Sequence, residues 1–199
     1  MEPHELGKKY DRIALWWHEQ HRESAYGIQQ LERAMRYAVA GGGTALDVGC
    51  GAGGRVINAL LDQGYEVTGI DVSPEMIRLA TRNHPDAVFH LQDICTWEPD
   101  GTFDFIVAWD SIFHLPLQMQ RTVIDKLCRL LKTNGIVFYS FGNATGDHTD
   151  TWHDDEFYYS SIGMNGNLAA LLENGLTVLH LELDQFPEQR HAYVIGQKP

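Results

Sequence analysis

Short apolar runs separated by segments of helical period organise this chain. From Tyr10 to about Val39 the apolar residues Ile13, Trp16 and Trp17, then Ile28, Leu31 and Met35, recur near helical spacing. A break at Ser24 to Gly27 divides them, which predicts two helices ahead of the first strand. Beyond this point strand-like and helix-like segments alternate: strand 45–48, helix 54–63 and strand 66–70. A further helix opens at Ser73-Pro74, an N-cap followed by proline at the first helical position. The pattern continues with strands 87–91 and 103–109, a helix over 116–131, an Asn134-Gly135 turn and strand 136–141. Residues 142–155 read as a polar loop and 168–173 as part of a helix. Thr177–Asp184 and 191–196 read as two closing strands joined through Pro187. Alternation of this kind implies an α/β fold with a parallel sheet and right-handed crossovers. No internal repeat or low-complexity tract interrupts it.

Composition narrows the picture. A chain of 199 residues fits one domain, 1–199, able to bury about 70% of its unfolded surface. Its 27 acidic against 15 basic residues give a net charge of −12, which argues against a nucleic-acid partner, because such affinity draws on clustered lysine and arginine. No stretch approaches the roughly 18 continuous apolar residues of a membrane span, and the first residues carry no apolar signal core. A cytoplasmic protein is expected. Cys50, Cys95 and Cys128 are widely spaced, without a Cys-x-x-Cys pair, and fit reduced thiols better than a disulfide framework or zinc site.

The candidate chemistry lies in Leu46-Asp47-Val48-Gly49-Cys50-Gly51-Ala52-Gly53-Gly54. An apolar strand running into alternating glycines turns sharply into a helix and lets a ligand lie against bare main chain. The next strand delivers Asp71 at its carboxyl end, where a carboxylate can accept from both hydroxyls of a ribose. A third ends in Gln92-Asp93, within reach of an exocyclic adenine amine. The expected ligand therefore contains an adenosine. Gly49-x-Gly51-x-x-Gly54, with Asp71 twenty residues after Gly51, also satisfies the dinucleotide fingerprint, and the glycines alone do not decide. Against NAD stand Asp47, whose carboxylate would repel a pyrophosphate yet could orient an ammonium, the adenine-side Asp93, and the lack of length for a separate substrate domain. A Gly-Lys-Ser/Thr phosphate-binding loop is absent.

The segment from Leu46 to Gly54, with Asp71, Gln92-Asp93 and Leu130-Leu131-Lys132-Thr133-Asn134-Gly135, resembles the class I S-adenosylmethionine-dependent methyltransferases of small molecules. The likeness runs from about Tyr10 to the end. It implies a doubly wound, Rossmann-like sheet of seven strands, mostly parallel with an antiparallel last strand and helices on both faces. Residues 1–40 would form a helical cap, 41–141 the cofactor-binding core, and 142–199 a lid loop and closing strands. By the resemblance Gly49 and Gly51 approach the amino acid part of the cofactor, Asp71 its ribose, and Asp93 with Ile94 its adenine. Met76 packs on the adenine face. Asp47, Cys50, Gly53 and Val72 complete that shell; Trp109 and Asp110 are read as lining the cofactor side, with core packing as the alternative for Trp109. Gly54 after Gly53 is one glycine more than the family uses.

An acceptor would approach from the loop after the fourth strand, since ligands of open α/β sheets sit at the carboxyl ends of strands. His114 is the first choice for a polar group beside the transferred methyl, with a purely structural role in packing the loop as the alternative. Tyr10-Asp11-Arg12-Ile13-Ala14-Leu15-Trp16-Trp17-His18 resembles the helix that covers the cofactor in related enzymes, with Tyr10 closing over the methionine portion. Trp16 and Trp17 either line the acceptor pocket or pack the core. Residues 146–156 hold five carboxylates, two histidines and a tryptophan, followed by Phe157-Tyr158-Tyr159. This stretch reads as a lid or a solvated loop, and His148, Trp152 and Tyr158 are its candidate substrate contacts. His18 and His21 share a helix face without a third ligand, so no metal site is expected. The implied activity is methyl transfer to a small-molecule O, N or S atom, with S-adenosylhomocysteine as product, by a monomer or homodimer. A catalytically silent cofactor-binding scaffold and an NAD-dependent oxidoreductase are the rival readings.

Overall fold

The computed structural model describes residues 1–184 and 191–199, so the expected joint at Pro187 lies outside the described residues. Two helices, α1 (Pro3–His21) and α2 (Ile28–Met35), precede β1 (Gly43–Val48). Then follow α3 (Arg55–Asp62), β2 (Tyr65–Asp71), α4 (Pro74–Asn83), β3 (Val88–Leu91), β4 (Phe103–Ala108), α5 (Leu117–Arg129) and β5 (Leu131–Gly142). The chain ends with β6 (Thr145–Trp152), β7 (Asp155–Ile162), α6 (Gly163–Glu173), β8 (Thr177–Asp184) and β9 (His191–Gln197).

Seven strands form one sheet in the order β3-β2-β1-β4-β5-β9-β8. Five run parallel, and β9 lies antiparallel to both β5 and β8. Along β4, Phe105 and Val107 join the cluster of Leu31, Ile57 and Leu60, while Ile106 and Ala108 join that of Ile124, Leu127 and Leu171. A strand apolar on both faces needs helices on both, which is the doubly wound arrangement expected from the sequence. The chain reverses direction across the sheet between β1 and β4, and the crevice outside that reversal is where such sheets take ligands. Among the described residues no helix is long and apolar enough to cross a membrane.

The structure corrects one part of the sequence reading. Residues 142–155 are not a polar loop: β6 and β7 pair antiparallel as a separate two-stranded sheet, with His148 opposite Tyr159 and Asp150 opposite Phe157. Its turn places His153 and Asp154 at φ of 51° and 58°, a backbone form that sequence rules associate with Asn-Gly or Asp-Gly. Six of the eight β6 residues are exposed, so this strand carries no apolar alternation to announce it. Strand β5 also starts five residues early, at Leu131, and passes the expected turn at Asn134 (φ 64°) with a register shift against β4.

Lys126 ties α5 to the loop after β3. Its buried ammonium donates to the carbonyls of Ile94 (2.9 Å), Cys95 (3.2 Å) and Trp97 (2.9 Å) and meets the Glu98 carboxylate at 3.0 Å. Lys126→Met leaves three carbonyls without their donor and should destabilise the fold by about 2–4 kcal/mol. Urea denaturation followed by far-UV circular dichroism checks this, and an unchanged midpoint would refute it.

Candidate active site

The turn after β1 is held to the end of β2 by main chain. Gly49 N and Cys50 N both donate to the Ile70 carbonyl, at 2.8 and 3.0 Å. Gly49 takes φ 75°, and a Cβ there would lie 2.3 Å from the Ser111 Cβ, so both conformation and space require glycine. Gly51, at φ 55°, leaves its Cα face open toward the Trp17 indole. Asp71 joins the two loops: Oδ2 accepts from Gly51 N and Oδ1 from Ser73 N, each at 2.9 Å. Each oxygen keeps a lone pair for a ligand. Ser73 in turn caps α4 by accepting from Met76 N.

These strand ends open on a cavity of about 1190 Å³ including its mouth. It brings together Asp47, Gly49, Cys50, Gly51, Asp71 and Val72 on one wall and Met76, Asp93 and Ile94 on another. Trp109, Asp110 and His114 close a third side, and Tyr10 and Trp17 of α1 cover it. Gly53 does not line the cavity; its Cα face packs on Ala80 and His84 of the α4 end, and Gly54 takes the lining position instead. Trp16, His148, Trp152 and Tyr158 also lie outside it. Trp16 packs edge-on against Trp152 and His153, and His148 stacks on Tyr159. Trp152 contacts Trp17 and Phe157, so this aromatic group joins α1 to the hairpin rather than lining the cavity. Lys9 and Arg12 add ion pairs to Asp155 at the hairpin tip.

Sequence reasoning missed Ser111 and Arg55, both of which line the cavity. Ser111 Oγ is buried without a hydrogen-bond partner, and Arg55 Nε donates to the Tyr26 carbonyl at 2.5 Å. Neither stands at a position that periodicity or glycine spacing marks. It also missed Asp11, whose Oδ1 accepts from the Ser73 hydroxyl (2.6 Å) and Glu75 N (3.1 Å), anchoring α1 to the loop that carries Asp71.

Burial sets the electrostatics. His114 contacts the Tyr158 carbonyl through Nδ1 (2.8 Å) and the Tyr10 hydroxyl through Nε2 (2.9 Å). A carbonyl can only accept, which assigns the proton to Nδ1 and makes Nε2 the acceptor of the Tyr10 O–H. Burial depresses the His114 pKa to about 4 against the Tyr158 carbonyl and Asp110, so the ring is neutral at pH 7. Burial, then the neighbouring Asp71, pushes Asp47 up to about 7, with Arg55 opposing. Asp71 is also raised by burial, against the Ser73 and Gly51 N–H groups. Among the described residues no cluster of three or more His, Cys, Asp or Glu is placed to hold a metal ion.

Comparison with known proteins bears on this geometry. A family described as a methyltransferase domain matches residues 45–135. The chain is 36% identical over 111 residues to 2-methyl-6-phytyl-1,4-hydroquinone methyltransferase of Synechocystis, covering 53% of this chain and 34% of that protein. It thus spans about a third of that relative's length. Among solved structures, N-methyltransferase NodS from Bradyrhizobium japonicum, in complex with S-adenosylhomocysteine, superposes with a TM-score of 0.68 at 18% identity, covering 90% of this chain and 91% of that one. The [4+2]-cyclase SpnF superposes with a TM-score of 0.76 at 18% identity, over 100% and 96%. Residues 45–135 thus match a methyltransferase domain, and the chain shares the fold of solved S-adenosylmethionine-dependent methyltransferases.

Proposed function

We propose that this protein binds S-adenosylmethionine in the cavity and catalyses transfer of its methyl group to a small-molecule acceptor. The observation that carries the reading is the Asp71 carboxylate, fixed by two main-chain N–H groups at the mouth of a glycine turn and still able to accept from two hydroxyls. The residues fit such a ligand. Asp71 would take the ribose, Met76, Asp93 and Ile94 the adenine, and the Gly49 to Gly51 backbone with Asp47 and Tyr10 the amino acid portion. SpnF has the same fold under the name of a cyclase, so fold alone does not carry the reaction.

A bound sulfonium donor supplies an electrophilic methyl carbon. The chain's own residues have to align the acceptor and keep water out, and proximity of that kind supplies much of the rate. Helix α1 covers the cavity with Tyr10 and Trp17 and is held there by Asp11 on Ser73 and by Lys9 and Arg12 on Asp155. His114, neutral and bonded at both nitrogens, fixes the Tyr10 hydroxyl; it orients rather than abstracts a proton. The net charge of −12 argues against a nucleic-acid partner.

Calorimetric titration with S-adenosylhomocysteine should show saturable binding, and Asp71→Asn should weaken it by roughly 10- to 100-fold. Equal affinity in the variant would remove Asp71 from the ribose role. A second expectation concerns pH. A cationic ammonium binds the ionised form of Asp47, and with its pKa near 7 that form is lost as pH falls through 7. Affinity should therefore drop by about five- to sixfold between pH 7 and 6 in the wild type and stay level in Asp47→Asn. A wild-type affinity flat across this range would contradict it.

A further inference from the structure

Three consecutive residues at the carboxyl end of β4 line the cavity: Trp109, Asp110 and Ser111. Among the described residues Asp110 is one of four non-glycine residues at positive φ, 54°. Aspartate tolerates this conformation better than most residues, but the surroundings must still hold it there. Ser140 of β5, fully buried, does so from both sides: its Oγ accepts from Asp110 N at 2.8 Å and its hydroxyl approaches Asp110 Oδ1 at 3.3 Å. His191 at the start of β9 brings Nε2 to 2.9 Å from the same Oδ1.

Everything that fixes the carboxylate therefore acts on Oδ1 or the main chain. Oδ2 has no partner among the described residues, in a side chain 22% exposed within the cavity. Beside it, the buried Ser111 Oγ also has no partner. A buried hydroxyl without a partner, on the residue that follows a carboxylate with a spare oxygen, is an incomplete hydrogen-bonding set that a ligand in the cavity can complete. What the carboxylate lacks is a donor.

We infer that Asp110 is an acceptor-recognition residue: its Oδ2 takes the hydrogen of the O–H or N–H on the atom to be methylated, with Ser111 Oγ as the adjoining contact. The inference rests on the methyl-transfer reading and names its substrate class. The subsite takes phenols or amines, between the aromatic walls of Tyr10, Trp17 and Trp109, and rejects carboxylates. An anionic acceptor would meet Asp110 directly, with Asp47 and Asp71 lining the same cavity; Arg22 and Arg55 line it too, Arg55 already donating to the Tyr26 carbonyl. This moves Asp110 from the cofactor side, where the sequence placed it, to the acceptor side.

The test uses the full chain, with and without saturating S-adenosylhomocysteine, and three ring-sized probes: catechol, benzylamine and benzoate. Saturation-transfer NMR should detect catechol or benzylamine but not benzoate. Asp110→Asn keeps the shape and tolerates the same backbone form; it should weaken the bound donor probe by roughly tenfold while changing S-adenosylhomocysteine affinity by less than about threefold. Binding of benzoate as tight as that of the donors, binding of neither donor, an unaffected variant, or a tenfold loss of S-adenosylhomocysteine affinity in Asp110→Asn each overturns the assignment. A wild type that binds the donor probes yet not S-adenosylhomocysteine refutes the cofactor reading and leaves the Asp110 subsite standing.

Discussion

The site depends on one carboxylate held by main chain. Asp71 accepts from Gly51 N with one oxygen and from Ser73 N with the other, so the glycine turn after β1 and the loop after β2 become a single rigid rim. The paired donation of Gly49 N and Cys50 N to the Ile70 carbonyl reinforces the same joint. Burying this anion costs free energy, visible in its raised pKa, and the two N–H donors offset part of that cost. A carboxylate kept in place this way is preorganised, which is what the proposed ribose contact needs.

The rest of the cavity is assembled on that rim. Ser73 takes one hydrogen bond from Asp71's loop into α4, by capping Met76 N, and gives another to Asp11 of α1. The cap helix is therefore fastened to the loop that carries Asp71. Gly7 presses its Cα face onto the Val72 carbonyl, where a Cβ would come to 2.4 Å, so the helix sits as low on the rim as backbone allows. On its other side α1 meets the β6–β7 hairpin through Trp16, Trp17 and Trp152 and through the Asp155 ion pairs. A segment that looks like solvated loop in sequence thus serves as the outer support of the cap.

Much of the core was legible in the sequence because its signals are local. The glycines of the β1 turn, the Ser73-Pro74 helix start, and the placing of Asp71 and Asp93 at strand ends depend on neighbours within a few residues. The hairpin was not legible, because β6 exposes most of its side chains and turns through His153-Asp154 instead of glycine. His114 was singled out by its loop, yet its chemical state was decided by Tyr10 from 104 residues away and the Tyr158 carbonyl from 44 residues away.

The sequence by itself determined the alternating α/β pattern, the parallel sheet, the glycine turn and the carboxylates set at strand ends. Each follows from periodicity or from the backbone freedom of a residue type, and those properties travel with the chain. Tertiary structure alone decided that Gly53 faces α4, that Trp16 and Trp152 bind the cap to the hairpin, and that Asp110 is held by Ser140 with His191 alongside. Those outcomes depend on which surfaces meet across the fold, and contacts between residues 30 to more than 100 positions apart leave no spacing for a sequence to display.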